Sequence, residues 1–295
     1  MADLALFALT LCWGTTFLLV KNALVGTSPA VFLLLRFGVA TAAVALVAAL
    51  RRDRPTRAAV RHGLLLGLAM FGGFALQTLG LRSTTPARSG FLTGLSVLIV
   101  PFLARFLLRR RVPAAAWLGV ALAVSGLVAL TRPFGDDVPA AVRTGDLLTV
   151  GCAVAFAFQI VFVSEWSPRH PLALFTLVQV AATFGLSALL LPLEPPALRS
   201  GPVLWATVAY SGVVMTAAAF FVMNWAQRHT TAVRAALIFS LEPVAAALFS
   251  HLVGGEPLVA LDWLGGGLIV LGVLAGEVGG AMEARARAAP AGPPA

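Results

Sequence analysis

Charge is scarce in this chain. Only 11% of its 295 residues are Asp, Glu, Lys or Arg, and Lys21 is the single lysine. A soluble domain of this length shows amphipathic helices or alternating strands with charge throughout, so that class is excluded. Cysteine is almost absent. Cys12 and Cys152 both lie in apolar runs, which argues against a disulfide or a redox pair and leaves packing as their use. The four histidines, His62, His170, His229 and His251, are scattered near the ends of those runs without ligand spacing. No metal and no cofactor is therefore expected. There is no Gly-rich phosphate motif followed by Lys and Ser or Thr, so ATP drive would need another subunit. No nucleophile, base or metal cluster converges, which argues against a membrane enzyme acting on lipid. Met1-Ala2-Asp3 lacks the basic start of a cleavable leader, and none is expected.

What the chain has is hydrophobicity in ten pulses. Apolar residues make up 59% of it. Runs of about 20 apolar residues, the length that crosses a bilayer as helix, alternate with short breaks carrying Arg, Pro, Asp or Gly. The runs predict spans at 4–21, 30–50, 62–81, 88–108, 113–131, 145–164, 171–191, 202–223, 232–252 and 260–279. All are expected to be helices, because open strands cannot satisfy their backbone in lipid. The fold class is an all-α polytopic membrane protein.

The net charge of +9 belongs to orientation in the membrane, not to nucleic acid. Arg51, Arg52, Arg54, Arg57 and Arg61 separate the second and third runs, and Arg109, Arg110 and Arg111 separate the fourth and fifth. The positive-inside rule puts both loops, and by parity both termini, in the cytoplasm of a bacterial inner membrane. Arg54 is expected inside and Asp136 outside. The breaks around Gly26, Asp136, Glu194 and Glu256 are poorer in arginine.

An internal repeat accompanies the pulses. Residues 82–129 align with 228–275 without a gap. Arg82, Thr84, Thr85 and Arg88 fall on Arg228, Thr230, Thr231 and Arg234; Trp117-Leu118-Gly119 falls on Trp263-Leu264-Gly265, and Gly126 on Gly272. Each half holds five runs, an odd number, so the halves enter the membrane in opposite directions. Ten transmembrane helices as two inverted five-helix repeats are the expected architecture, a transporter arrangement with substrate near the midplane. The first repeat is placed at 1–132 and the second at 143–280, with 281–295 as a disordered cytoplasmic tail rich in Ala, Pro and Arg.

The second half carries Ser240-Leu241-Glu242-Pro243-Val244, Gly254-Gly255-Glu256-Pro257, Trp263-Leu264-Gly265 and Gly272-Val273. The first run carries Trp13-Gly14-Thr15-Thr16-Phe17 and then Lys21, and the second opens on Pro29 and carries Arg36. In joint order and spacing these residues resemble the EamA family of the drug/metabolite transporter superfamily, over nearly the whole chain. The resemblance implies ten helices in two inverted repeats around a central cavity, and export of amino acids and other small metabolites. The aromatic amino acid exporters resembling YddG are the nearest comparison. The first half has Ser96-Val97 where the second has Glu242-Pro243, so any role tied to that acid rests on one half.

Polar side chains inside a bilayer are costly and face protein or a water-filled cavity. The candidates for substrate binding are Trp13, Thr16, Phe74, Gln77, Thr93, Phe156, Gln159, Phe239 and Glu242. Phe74 with Gln77, and Phe156 with Gln159, each place a ring and an amide on one helix face. An amide donates and accepts at once, which suits a carboxylate and an ammonium. Ser96, Gln179 and Asn224 are further polar residues within the runs, and hydrogen bonding between helices is the alternative use of any of these groups. Glu242 is the single carboxylate deep in a run, so it is a proton carrier, a counter-charge for an ammonium, or a structural acid. Pro101 and Pro243 are candidate hinges, since proline removes a helical hydrogen bond. Arg36 and Lys21 are expected to snorkel to an interface or to meet a helix C-terminus. Gly63 with Gly67, and Gly272 with Gly276, are spaced for close helix packing within the bundle.

The reading is a secondary transporter exporting small metabolites, amino acids and aromatic ones first, by alternating access. Its partners are a small-molecule substrate and the lipid bilayer. Proton coupling and movement down the substrate gradient alone both remain open. Multidrug efflux would call for a larger, more apolar cavity. A non-transporting scaffold would leave the central polar residues dispensable.

Overall fold

The computed structural model describes residues 1–131, 139–254 and 257–288. Asp136 and Glu256 lie outside the described residues. In chain order the helices are α1 (Ala2–Gly14), α2 (Thr16–Ala23), α3 (Pro29–Arg51), α4 (Arg57–Leu81), α5 (Pro86–Gly94), α6 (Ser96–Phe106), α7 (Ala114–Thr131), α8 (Ala140–Trp166), α9 (Leu172–Ala188), α10 (Pro202–Ala209), α11 (Ala219–Ala226), α12 (Ala232–Phe239), α13 (Glu242–Gly254) and α14 (Ala260–Ala288). A π-helical segment, Tyr210–Ala218, joins α10 to α11.

Local chemistry sets many of the ends. Pro29, Pro86 and Pro202 open α3, α5 and α10, where a missing N–H costs nothing. The hydroxyls of Thr56, Thr85 and Thr231 cap α4, α5 and α12 by accepting from the N–H groups of Ala59, Arg88 and Arg234. The last two caps share one geometry, φ −87° and ψ 156°.

Among the described residues, eight helical stretches are long and apolar enough to cross a membrane, with mean hydropathy from 1.6 to 2.3. Four of them join the consecutive helices α1–α2, α5–α6, α10–α11 and α12–α13. The runs expected at 113–131 and 260–279 are shorter apolar helices, Ala114–Ala129 and Ala260–Gly276. The helices that contain them, α7 and α14, have 18 and 29 residues, about 27 and 44 Å at 1.5 Å per residue. Helix α14 itself continues to Ala288, past Gly280 and into the stretch expected to be a tail; residues 289–295 lie outside the described residues.

The interruptions fall at Thr15, Leu95 and Ser240–Leu241. The prolines do not sit at these breaks. Pro101 lies inside α6, beyond Leu95, and Pro243 is the second residue of α13. In a first turn the proline has no helical N–H partner to lose, so Pro243 sits where α13 restarts after the break.

Glycines bring the helices close. A Cβ at Gly63 or Gly67 would run into Val178 or Ala182 of α9. Gly119 of α7 meets the Gly272 carbonyl of α14, and Gly126 meets that of Gly265, so the two helices cross antiparallel. This is packing within the bundle, as the spacing predicts.

Ion pairs and polar contacts gather at the two ends. At one end Lys21 donates to the carbonyls of Leu81, Arg82 and Thr84, closing the C-terminus of α4. There Arg82 pairs with Glu194 at 3.1 Å, and Arg88 pairs with Asp146. At the other end Arg234 pairs with Asp3 at 2.9 Å, and Glu165 holds Arg110 and Arg169.

Candidate functional site

A cavity lies midway between these ends. All nine residues proposed from sequence line it: Trp13 of α1, Thr16 of α2, Phe74 and Gln77 of α4, Thr93 of α5, Phe156 and Gln159 of α8, Phe239 of α12 and Glu242 of α13. Arg36, Ser96, Ile160, Phe220 and Met223 complete the lining. Its volume is about 50 Å³. That is room for a few waters and well below a ligand pocket of roughly 300 Å³ or more, so admitting a metabolite requires side chains or helices to move.

Aromatic rings form its walls. The Trp13 ring lies 5.7 Å from Phe220 and 5.4 Å from Phe239. Phe74 meets Phe156 edge-on at 5.2 Å and Phe220 at 5.8 Å. The Trp13 Nε1–H donates to the Met215 carbonyl at 3.1 Å, which fixes the indole. Gly73 makes room for Phe156, whose Cε1, Cδ1 and Cζ would lie 2.5, 2.7 and 2.8 Å from a Cβ there.

Arg36 corrects the sequence expectation. It does not snorkel; its residue is only 3% exposed and lines the cavity. Its Nε donates to Thr216 Oγ1 at 2.8 Å, and the guanidinium carbon stands 4.5 Å from the centre of the Phe74 ring. Among the described residues no partner reaches either Nη. The π-helical segment makes this geometry. Thr216 Oγ1 donates to the Ser211 carbonyl five residues back, and Gly212 lets that turn lie against α3, where a Cβ would come within 2.9 Å of the Arg36 carbonyl.

The remaining polar groups divide into two kinds. Gln77 donates to Thr93 Oγ1 at 3.0 Å, and Thr16 to the Trp13 carbonyl at 2.7 Å. Gln159 donates to Gln179 Oε1 at 3.5 Å, yet its own Oε1 is buried with no partner among the described residues. Glu242 starts α13 directly after the Ser240–Leu241 break, and no donor among the described residues reaches its carboxylate. Asn224 does not line the cavity; its Nδ2 donates to Thr176 Oγ1 at 2.9 Å and ties helices together, while its Oδ1 is buried with no partner among the described residues.

Sequence reasoning missed Arg36, Phe220 and Met223 as lining residues. It also treated His62 and His170 as unrelated. Their rings meet at 2.9 Å, Nδ1 to Nε2, and His62 stacks on Trp166. Burial, then His62, Arg169 and Arg228, hold the His170 pKa below the ordinary histidine value. Among the described residues no group of three metal-ligating side chains occurs.

Residues 1–132 and 143–275 match the EamA-like transporter family. An uncharacterized transporter of Archaeoglobus fulgidus is 30% identical over 273 residues, covering 92% of this chain and 84% of that protein. The uncharacterized transporter YyaM of Bacillus subtilis is 26% identical, covering 88% of each. A solved crystal structure of a protein aligns with a TM-score of 0.79 at 22% identity, over 94% of this chain and 98% of that one; at that identity it speaks for the fold alone. The chain therefore belongs to the EamA-like transporter family, and it is a multi-pass membrane transporter, not an enzyme.

Proposed function

We propose that this transporter exports small zwitterionic metabolites, amino acids with aromatic side chains first, by alternating access. The observation that carries the reading is the pairing of Arg36 and Glu242 in one aromatic cavity. The open Nη groups of Arg36 form a fork that suits a carboxylate. The unpartnered carboxylate of Glu242 and the orphaned Oε1 of Gln159 suit an ammonium. The rings of Trp13, Phe74, Phe156, Phe220 and Phe239 suit an apolar or aromatic side chain. Pairs of opposite charge favour a substrate with both charges, whereas multidrug efflux needs few fixed polar groups.

The architecture we propose is ten spans in two inverted repeats, near 1–132 and 143–280. Three observations support it. The family match falls in two segments. The caps at Thr85 and Thr231 share one backbone geometry. The aligned glycines cross-pair: Gly119 packs on Gly272 and Gly126 on Gly265, as a pseudo-two-fold between repeat mates requires. The Asp3 end faces the cytoplasm of a bacterial inner membrane in this reading, because the loops with Arg51–Arg61 and Arg109–Arg111 lie there. Coupling to protons through Glu242 is the proposed drive. Bending at Gly94–Leu95 and Ser240–Leu241, beside Pro101 and Pro243, is the proposed movement.

Gln159→Ala tests the site. Losing one hydrogen bond to a substrate charge costs about 1.5–3 kcal/mol, so KM for an aromatic amino acid is expected to rise roughly tenfold or more. Folded protein should persist, because among the described residues the side chain loses only its long, 3.5 Å donation to Gln179. Unchanged transport at matched protein levels would assign Gln159 to helix packing.

A further inference from the structure

The two ends of the bundle carry the same device in two conditions. At the Lys21 end, Asp146 near the start of α8 is fully engaged. Thr84 Oγ1 donates to its Oδ1 at 2.7 Å, and Arg88 Nε contacts Oδ1 at 3.3 Å and Oδ2 at 3.1 Å, with Nη2 also on Oδ2. The Arg88 and Asp146 side chains are 21% and 16% exposed.

The repeat places Thr230 and Arg234 where Thr84 and Arg88 stand. At the Asp3 end the acid is Asp3, near the start of α1, and it is half engaged. Arg234 Nη2 reaches its Oδ2 at 2.9 Å, and the pair is 43% and 35% exposed. Asp3 Oδ1 and Thr230 Oγ1 are both buried, and among the described residues both lack a partner. They are the two atoms whose counterparts, Asp146 Oδ1 and Thr84 Oγ1, bond each other. A cavity of about 530 Å³ opens beside Thr230, Thr231 and Arg234. An orphaned donor and an orphaned acceptor cost free energy until they meet, so the Lys21 end makes a bond that the Asp3 end lacks.

We infer that Thr84–Asp146–Arg88 and Thr230–Asp3–Arg234 are reciprocal latches, and that forming the Thr230–Asp3 bond while breaking the Thr84–Asp146 bond switches which mouth of the transporter is open. The inference rests on the alternating-access reading. Each hydroxyl favours one state: Thr84 holds the state closed at the Lys21 end, and Thr230 holds the state closed at the Asp3 end. Removing either biases the equilibrium toward the opposite state.

The test places a reporter, Ser96→Cys, in the central cavity of a chain with Cys12→Ala and Cys152→Ala. A small membrane-impermeant thiol reagent is applied to one membrane face at a time, in cells and in inverted vesicles. Thr84→Val and Thr230→Val keep side-chain size and remove only the hydroxyl. Thr84→Val is expected to speed labelling from the Lys21 face on the order of fivefold, and Thr230→Val to slow it by a similar factor, each effect reversed from the Asp3 face. Thr84→Ser and Thr230→Ser keep the donor and should restore the parent rates, which separates a latch from general damage to the fold. Rates that do not move, or that move in the same direction for both valine variants, would overturn the latches and leave alternating access standing. Labelling rates from the two faces that together exceed the rate of a fully exposed cysteine would overturn alternating access and the latches together, because the two open fractions cannot sum to more than one.

Discussion

Arg36→Met is expected to abolish amino acid transport while leaving the protein at least as stable. Arg36 is buried, and among the described residues its guanidinium has one hydrogen bond, to Thr216, and the face of Phe74. A buried charge with so few partners is costly to the fold, so replacing it with an apolar chain of similar length removes a penalty. The same replacement removes the fork for the substrate carboxylate. Truncating one member of a buried charge pair costs about 2–5 kcal/mol, so kcat/KM should fall by at least roughly 30-fold. Arg36→Lys keeps the charge but not the planar fork and should fall between the two. Transport by purified protein in liposomes, beside a thermal unfolding curve, checks both halves. A variant that transports normally, or that loses transport only because it unfolds, would remove Arg36 from the site.

Glu242→Gln is expected to erase stimulation by a pH gradient. Glutamine keeps the size and hydrogen-bonding reach of the acid but cannot carry a proton or a charge. If one proton exchanges for one substrate, a gradient of about one pH unit drives roughly tenfold accumulation, since 1.4 kcal/mol is a factor of ten. The wild type should approach that ratio in liposomes, and the Gln variant should stop near equality while still exchanging substrate at equilibrium. Wild-type transport indifferent to the gradient would identify a facilitator. Gradient stimulation that survives in the Gln variant would remove Glu242 as the carrier.

The helices were legible because hydrocarbon leaves the backbone few choices, and runs such as Pro29–Arg51 carry hardly a charge. The cavity was legible for the same reason: a polar residue such as Gln77 or Gln159 in such a run must face protein, and both line the same space. Arg36 was not. A lone arginine early in a span reads as snorkelling, and its partner Thr216 lies 180 residues away on a π-helical turn that no local pattern announces. No local sequence pattern relates Asp3 to Asp146. Their kinship emerged only when Arg88 and Arg234, already aligned in sequence, were seen to reach for them at opposite ends.

Recognition of a carboxylate and an ammonium together would set this transporter apart from one that takes aromatic cations. It is tested most directly by uptake into liposomes of three compounds that share one aromatic ring: phenylalanine, phenethylamine, which lacks the carboxylate, and 3-phenylpropionate, which lacks the ammonium. Phenylalanine is expected to be transported at least roughly tenfold better than either, since each lost charge leaves Arg36 or Glu242 without its counterpart on the substrate. Equal transport of phenethylamine, together with bulky aromatic cations, would contradict it and point to multidrug efflux.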